Sequence, residues 1–346
     1  MLFIAHRGNL YGPRDDTSIE DALKAGFDVS IDVWWHKGAF WTGVMEPKSP
    51  ISREMLLDAG VWCVPRNEQC RLELMELGAR FLEDAQDAVC FPEKNHEISE
   101  KDMKKCGIIL SDYVWHYKRR LTAKTRIAMM ISGRIKCYER NLMPQMKAFH
   151  SEHPDVYIDL FVAVNANMDE EHVRFYETMF PTMMFIQPYQ CEQKYIYHPF
   201  IRGEFEGRRH MIGNFMSHFY NNMVAYQLLM MFKQQNPDIV YDKVMLFRAD
   251  INRPDLPPIM ELEVPSKTVV FPSSHRYMYD WINMHVVLGN METMRIYCDL
   301  VHWIDQYLYQ MGMILHPETM ITEHLKLNSV AFKEYTYEYV LDSQRN

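Results

Sequence analysis

The chain has 346 residues, of which 48% are apolar and 24% charged, with a formal charge of −9 at neutral pH. That balance excludes a largely disordered polypeptide and disfavours a general nucleic-acid binder, which needs clustered Lys and Arg to neutralise phosphates. Seven unevenly spaced cysteines without a CxxC pair argue against both a disulfide framework and a zinc ribbon, and the 27 methionines read as core filling.

The length exceeds a usual single core, so two domains are expected. Met1 to Ala5 is too short an apolar start for a signal peptide, and apolar runs such as Val224 to Phe232 break off well before a membrane span. A soluble, cytoplasmic protein is the expectation. In chain order, Leu2 to Ala5 reads as a strand, Ser18 to Ala25 as a helix, and Val29 to Trp35 and Phe40 to Gly43 as strands. Val61 to Val64 is a further strand, Glu68 to Leu77 a helix, and Gly107 to Asp112 a strand with a polar end. This rhythm predicts a parallel sheet or barrel over residues 1–118, too short for a complete eightfold barrel and therefore truncated. Residues 119–126 are basic and read as a linker.

A stronger α/β series occupies residues 127–346. Arg126 to Ser132 is a buried strand that ends in a glycine turn, and Glu139 to His150 follows as a helix. Val156 to Val164 is a strand, Glu170 to Met179 a helix and Met183 to Gln187 a strand. Ser217 to Lys233 reads as a helix, Lys243 to Phe247 and Thr268 to Pro272 as strands, and His316-Pro317-Glu318-Thr319 opens a last helix. Parallel strands of this kind bind ligands at their carboxyl ends.

The N-terminal motifs are His6-Arg7-Gly8-Asn9, Gly26-Phe27-Asp28-Val29, Ile31-Asp32-Val33 and Gly43. On these residues the first 115 or so positions resemble the glycerophosphodiester phosphodiesterase family. The resemblance implies a divalent cation held by carboxylates and a histidine pair for acid/base work. Two matched positions depart from it: Ser30 stands where the family has a carboxylate, and Val44-Met45 where it has His-Asp. What remains is a vestigial site of His6, Arg7, Asp32 and Glu46, with Arg66 where a lysine is common.

Tyr241 to Ile251 is an apolar strand that delivers Arg248-Ala249-Asp250. Together with Ser132-Gly133-Arg134, Tyr138-Glu139, Val270-Phe271-Pro272, Gly289 and His316 to Thr319, it resembles glycosyltransferases of the GT-A type over residues 126–340. The combination of both regions is similar to glycan-building proteins of large DNA viruses and microbes. The GT-A resemblance implies a nucleotide-sugar donor, a glycan or other hydroxyl acceptor, and a divalent cation, Mn or Mg, on Asp250. It assigns Ser132, Gly133, Arg134, Arg248 and Asp250 to donor binding. For an acceptor-side base, Asp280 and Glu318 are the carboxylates, with helix capping the alternative for Glu318. Arg202 to His210 reads as a basic loop, and Tyr277, Tyr279 and Trp281 as core or sugar-stacking aromatics.

The fold expected is thus α/β, a truncated TIM-barrel-like domain followed by a GT-A-like domain. The function expected is sugar transfer without nucleic acid or membrane span. Two alternatives stay open: a metal-dependent phosphodiesterase in which Asp28, Glu46 or a group from the other domain replaces the missing ligands, and a non-enzymatic anion-binding or scaffold protein.

Overall fold

The computed structural model describes residues 1–9, 18–84, 89–90, 100–133, 135, 137–165, 170–187, 195–202, 206–207, 211–274 and 282–342. The chain divides into two compact units, Met1–Thr122 and Ala123–Asn346.

Unit 1 runs β1 (Leu2–His6), α1 (Ile19–Lys24), β2 (Asp28–His36), β3 (Ala39–Thr42), β4 (Ser49–Pro50), α2 (Arg53–Leu56) and β5 (Val61–Pro65). It continues with α3 (Glu68–Leu77), β6 (Val89–Cys90), α4 (Glu100–Met103), β7 (Ile108–Ser111) and α5 (Val114–Thr122). Ser18 starts α1 with a capping box, its hydroxyl accepting from the Asp21 N–H while the Asp21 carboxylate accepts from the Ser18 N–H. The parallel strands follow chain order outward from β1 on one flank and the reverse order on the other. On one flank β1 pairs with β2, β2 with β5, and Cys63 of β5 with Phe81; on the other, β1 pairs with β7 and β7 with β6. β3 and β4 form an antiparallel extension of β2.

Period-2 alternation gives this sheet two unlike faces. Ala5, Val29, Ile31, Val33, Val61 and Cys63 pack under Ala22, Leu56, Cys70, Leu74 and Val114 from the helices. The other face holds a small cluster of Ile4, Trp62, Ile108 and Leu110. His6, Ser30 and Asp32 share the parity of that second face, so its apolar rows give way to polar groups at the strands' carboxyl ends.

Residues 119–126, expected as a linker, lie mostly within regular elements. They are the last turns of α5 and the first residues of β8 (Thr125–Ser132), joined by Ala123 and Lys124. Two of the four basic side chains in this stretch, Arg120 and Arg126, are held in buried ion pairs. Arg120 donates to Glu100 at 2.8 Å, and Arg126 grips the fully buried Asp159 through Nε and Nη2, both at 2.9 Å.

Unit 2 continues with α6 (Leu142–Glu152), β9 (Val156–Asn165), α7 (Glu170–Met179), β10 (Met183–Gln187), α8 (Ile212–Gln235), β11 (Lys243–Phe247), β12 (Ile251–Asn252) and β13 (Thr268–Pro272). Then follow β14 (Val286–Gly289), α9 (Met291–Asp299), α10 (Pro317–Leu327), β15 (Ala331–Tyr335) and β16 (Val340–Leu341). The main sheet has the order β10-β9-β8-β11-β14-β13-β15, and only β14 runs against its neighbours. Ala128, Met130, Phe161, Val244 and Leu246 face α8, while Ile127, Met129, Ile131, Leu160 and Met245 face α6 and α7. Each such Val, Leu, Ile, Met or Phe side chain, fully withdrawn from water, contributes roughly 1.5–3 kcal/mol. The result is a three-layer α/β/α unit.

Candidate functional site

From β8 the chain steps outward to β9 and β10, then returns through α8 to β11 on the opposite side of β8. The reversal opens a crevice between the carboxyl ends of β8 and β11, the place where ligands bind in open α/β sheets. Ile131 pairs with Phe247, and Phe247 with Val286, so three elements end or begin at one level. β8 supplies Ser132 and Gly133, β11 leads into Arg248-Ala249-Asp250, and the reversed β14 begins there after Asn283 and His285. The Arg248 N–H donates to the His285 carbonyl at 3.1 Å.

Arg248 and Asp250 meet side-on. Nε donates to Oδ1 at 3.0 Å and Nη2 to Oδ2 at 2.7 Å, the bidentate fork that guanidinium and carboxylate geometry favours. The Asp250 side chain is 5% exposed and that of Arg248 32%, so the acid is buried behind the base. A divalent cation needs several oxygen ligands. Both Asp250 oxygens are engaged by Arg248, and among the described residues no three His, Cys, Asp or Glu side chains converge to hold a metal. The described residues do not fit the cation expected on Asp250.

Beside this pair, α8 carries polar residues inside an otherwise apolar helix. Ser217, Asn221 and Asn222 are all buried, and the Ser217 hydroxyl has no hydrogen-bond partner among the described residues. Ser132 Oγ donates to Asn222 Oδ1 at 2.5 Å, and Asn222 Nδ2 meets His218 Nε2 at 3.2 Å. Burial, reinforced by the positive charge of Arg248, pushes the His218 pKa down to about 4, so the imidazole is neutral at pH 7.

On the β14 side, Asn283 is fully buried and organises the turn. Its Oδ1 accepts from the backbone N–H of His285 and Val286, and its Nδ2 donates to the Tyr339 hydroxyl at 2.8 Å. The same hydroxyl lies 2.9 Å from His285 Nδ1. Burial and then the negative charges of Asp250 and Glu318 push the Tyr339 phenol up, against the Asn283 bond and the Arg248 charge, so it stays protonated. Glu318 sits in the first turn of α10, where Pro317 follows the N-cap residue His316. Asp342 closes the base of the site. Its N–H donates to the Asp250 carbonyl at 3.0 Å, and its carboxylate accepts from Arg140, Asn141 and Asn252. A cavity of about 500 Å³ opens between the loop after β8 and α7, lined by Cys137, Tyr138, Glu139, Arg140, Glu170, Glu171 and Arg174.

Of the residues expected at this site, Ser132, Gly133, Arg248, Asp250 and Glu318 belong to elements converging on it. Arg134, Asp280, Arg208 to His210, and the aromatics Tyr277, Tyr279 and Trp281 lie outside the described residues. His218, Asn222, His285 and Tyr339 were not anticipated. The first two were signalled by Ser217-His218 and Asn221-Asn222, polar pairs four residues apart in an apolar helix and hence on one face. Tyr339 carried no such local signal.

The polar residues of unit 1 also gather at the carboxyl ends of strands. Asp32, 4% exposed, accepts from Arg7 Nε at 2.8 Å through one oxygen and from Arg66 Nε at 2.8 Å through the other. Arg7 has a φ of 57°, an uncommon conformation for a non-glycine residue. His6 Nδ1 lies 3.1 Å from Asp112 Oδ1, which also accepts from Asn9 at 2.7 Å. Burial works to raise the Asp112 pKa, but the bonds from His6 and Asn9 and the charges of His6 and Arg7 together hold it below its ordinary value. Ser30 is fully buried and its hydroxyl lacks a hydrogen-bond partner among the described residues. Glu46 is exposed, on the loop after Gly43, while Asp32 is held by two guanidinium groups. The metal-dependent hydrolytic set suggested for Asp32 and Glu46 is not assembled among the described residues.

No protein-family model matches the chain, and no curated protein matches it. Among solved structures it is similar to an active-site mutant of LgtC, at 13% identity and a TM-score of 0.35 over 60% of this chain and 72% of that one. A second is the galactosyltransferase LgtC in complex with donor and acceptor sugar analogues, at 15% identity, a TM-score of 0.34 and the same coverage. A third is the glycosyltransferase GlyE of Streptococcus pneumoniae, at 12% identity and 0.32 over 61% of this chain and 46% of that one. Scores of this size carry no argument about fold or activity.

Proposed function

We propose that unit 2 is a sugar transferase of the GT-A type, which takes a nucleotide-sugar donor and passes the sugar to an acceptor hydroxyl. The observation that carries this reading is the Arg248–Asp250 pair at the sheet's switch point, set at the end of an apolar strand and level with Ser132. Sugar transfer needs stabilisation of the charge that develops on a diphosphate leaving group, and a preorganised guanidinium in a partly buried crevice supplies it. The acceptor oxygen bonds to the anomeric carbon as the bond from that carbon to the diphosphate oxygen breaks. The bonding pair leaves with the diphosphate, and the hydroxyl proton passes to a carboxylate, for which Glu318 is the described candidate. Ser132, Asn222 and neutral His218 supply hydrogen-bonding groups without adding charge.

Unit 1 is read as a phosphodiesterase relative without the hydrolytic set. Its chain-ordered parallel strands and the polar cluster at their carboxyl ends support a truncated barrel-like origin. The test of the transferase reading is to incubate the full chain with a panel of nucleotide sugars, with and without Mn²⁺ or Mg²⁺, and to measure released nucleoside diphosphate. One donor is expected to be consumed, and Arg248→Gln and Glu318→Gln to slow its consumption. Failure to consume any donor, together with failure to bind any nucleoside diphosphate in either condition, refutes the reading.

A further inference from the structure

Resting on that reading of unit 2, we propose that the donor diphosphate is held without a divalent cation, the Arg248 guanidinium standing where the cation would.

Charge arithmetic is the first support. Two carboxylates and a divalent cation sum to zero, and so do one guanidinium and one carboxylate. Arginine in place of an acid therefore changes the motif's charge by the amount that the metal would bring. The donor set is the second. Both oxygens of Asp250 are committed to Arg248, and no cluster of His, Cys, Asp or Glu suited to a metal exists among the described residues. A cation at Asp250 would have to displace the fork and leave the guanidinium beside a second positive charge.

The third support is orientation. Asp250 is 5% exposed against 32% for Arg248, so the acid sits behind and the base presents the solvent-facing edge. The backbone around them is fixed, since the Arg248 N–H reaches His285, the Ile251 N–H reaches the Arg248 carbonyl, and the Asp342 N–H reaches the Asp250 carbonyl. A guanidinium held this way loses little freedom on meeting a phosphate. Asp250 is then a positioning residue for Arg248 and not a metal ligand.

The experiment is isothermal titration of the full chain with UDP, GDP, ADP, CDP and dTDP, in EDTA and separately in Mn²⁺ or Mg²⁺. One nucleotide is expected to bind equally well in both buffers, within about threefold. Arg248→Gln should weaken it by about a hundredfold or more in each, the loss expected when one partner of a hydrogen-bonded charge pair is removed. Arg248→Lys keeps the charge without the fork and should fall between the two. Arg248→Asp restores an Asp-x-Asp and should bind only when Mn²⁺ is present, an outcome that a misfolded variant cannot give. Binding that requires the cation in the unmodified chain overturns this inference and leaves the transferase reading standing. Binding of no nucleotide in either buffer overturns both.

Discussion

Lowering the pH to about 4 tests whether His218 is held neutral beside Arg248. The imidazole's folded pKa is pushed from the ordinary 6.5 down to about 4, first by burial and then by the guanidinium. A depressed value means that the unfolded chain takes up a proton which the folded chain refuses. Stability therefore falls as the pH drops below about 6.5, and the loss is complete once the pH is below the folded value. The full separation corresponds to roughly 3 kcal/mol at ~1.36 kcal/mol per pH unit, of which about 2 kcal/mol is lost by pH 5 and most of the rest by pH 4. His218→Gln removes the titration and keeps a polar side chain. Urea unfolding of both proteins across this range, with hydrogen exchange of α8 amides to assign the effect to unit 2, reads the difference. The expected result is a stability difference between the two that changes by about 3 kcal/mol in favour of the variant as the solution is acidified. Parallel pH profiles would refute the claim that burial beside Arg248 keeps this imidazole uncharged.

The buried pair of Arg126 and Asp159 makes a second prediction. Asp159→Ala strands a buried guanidinium and should cost about 3–5 kcal/mol, whereas the double change Arg126→Met with Asp159→Leu should cost far less, both read by chemical denaturation. Equal losses would mean that packing, and not the unpaired charge, sets the effect. In unit 1, Gly43 has a φ of 152°, and a Cβ there would meet the Glu46 carbonyl oxygen. Gly43→Ala should destabilise unit 1 by at least about 2 kcal/mol, and a neutral result in thermal unfolding would show that the loop after β3 adapts freely.

The central apolar strands of unit 2 were legible because they are continuous runs buried on both faces. Lys243 to Phe247 and Thr268 to Pro272 carry that signal locally and form strands over the same residues. The helix Glu68 to Leu77 was equally plain, with Asn67 capping it and Gly78 ending it in a left-handed conformation. The basic run 119–126 shows the limit of a local reading. Its meaning depends on Glu100 and Asp159, which lie 20 residues from Arg120 and 33 from Arg126, a separation no local window sees. β14 escaped the sequence reading too, and its reversed direction brings Asn283 and His285 to the ligand edge instead of the far one. The Arg-x-Asp motif was visible as a cation ligand, Asp250, and a phosphate-pairing base, Arg248. Its character as a closed pair is a property of side-chain geometry, which spacing alone does not specify.

The clasp at Asp342 has a bearing on how the protein is made. The turn that carries Asp250 is pinned by partners reached through Asn252, 90 residues before Asp342, and through Arg140, 202 residues before it. On a ribosome, β8 and β11 emerge and can pair long before that anchor exists. The crevice therefore stays unfinished until residues 340–342 have emerged and docked against β12.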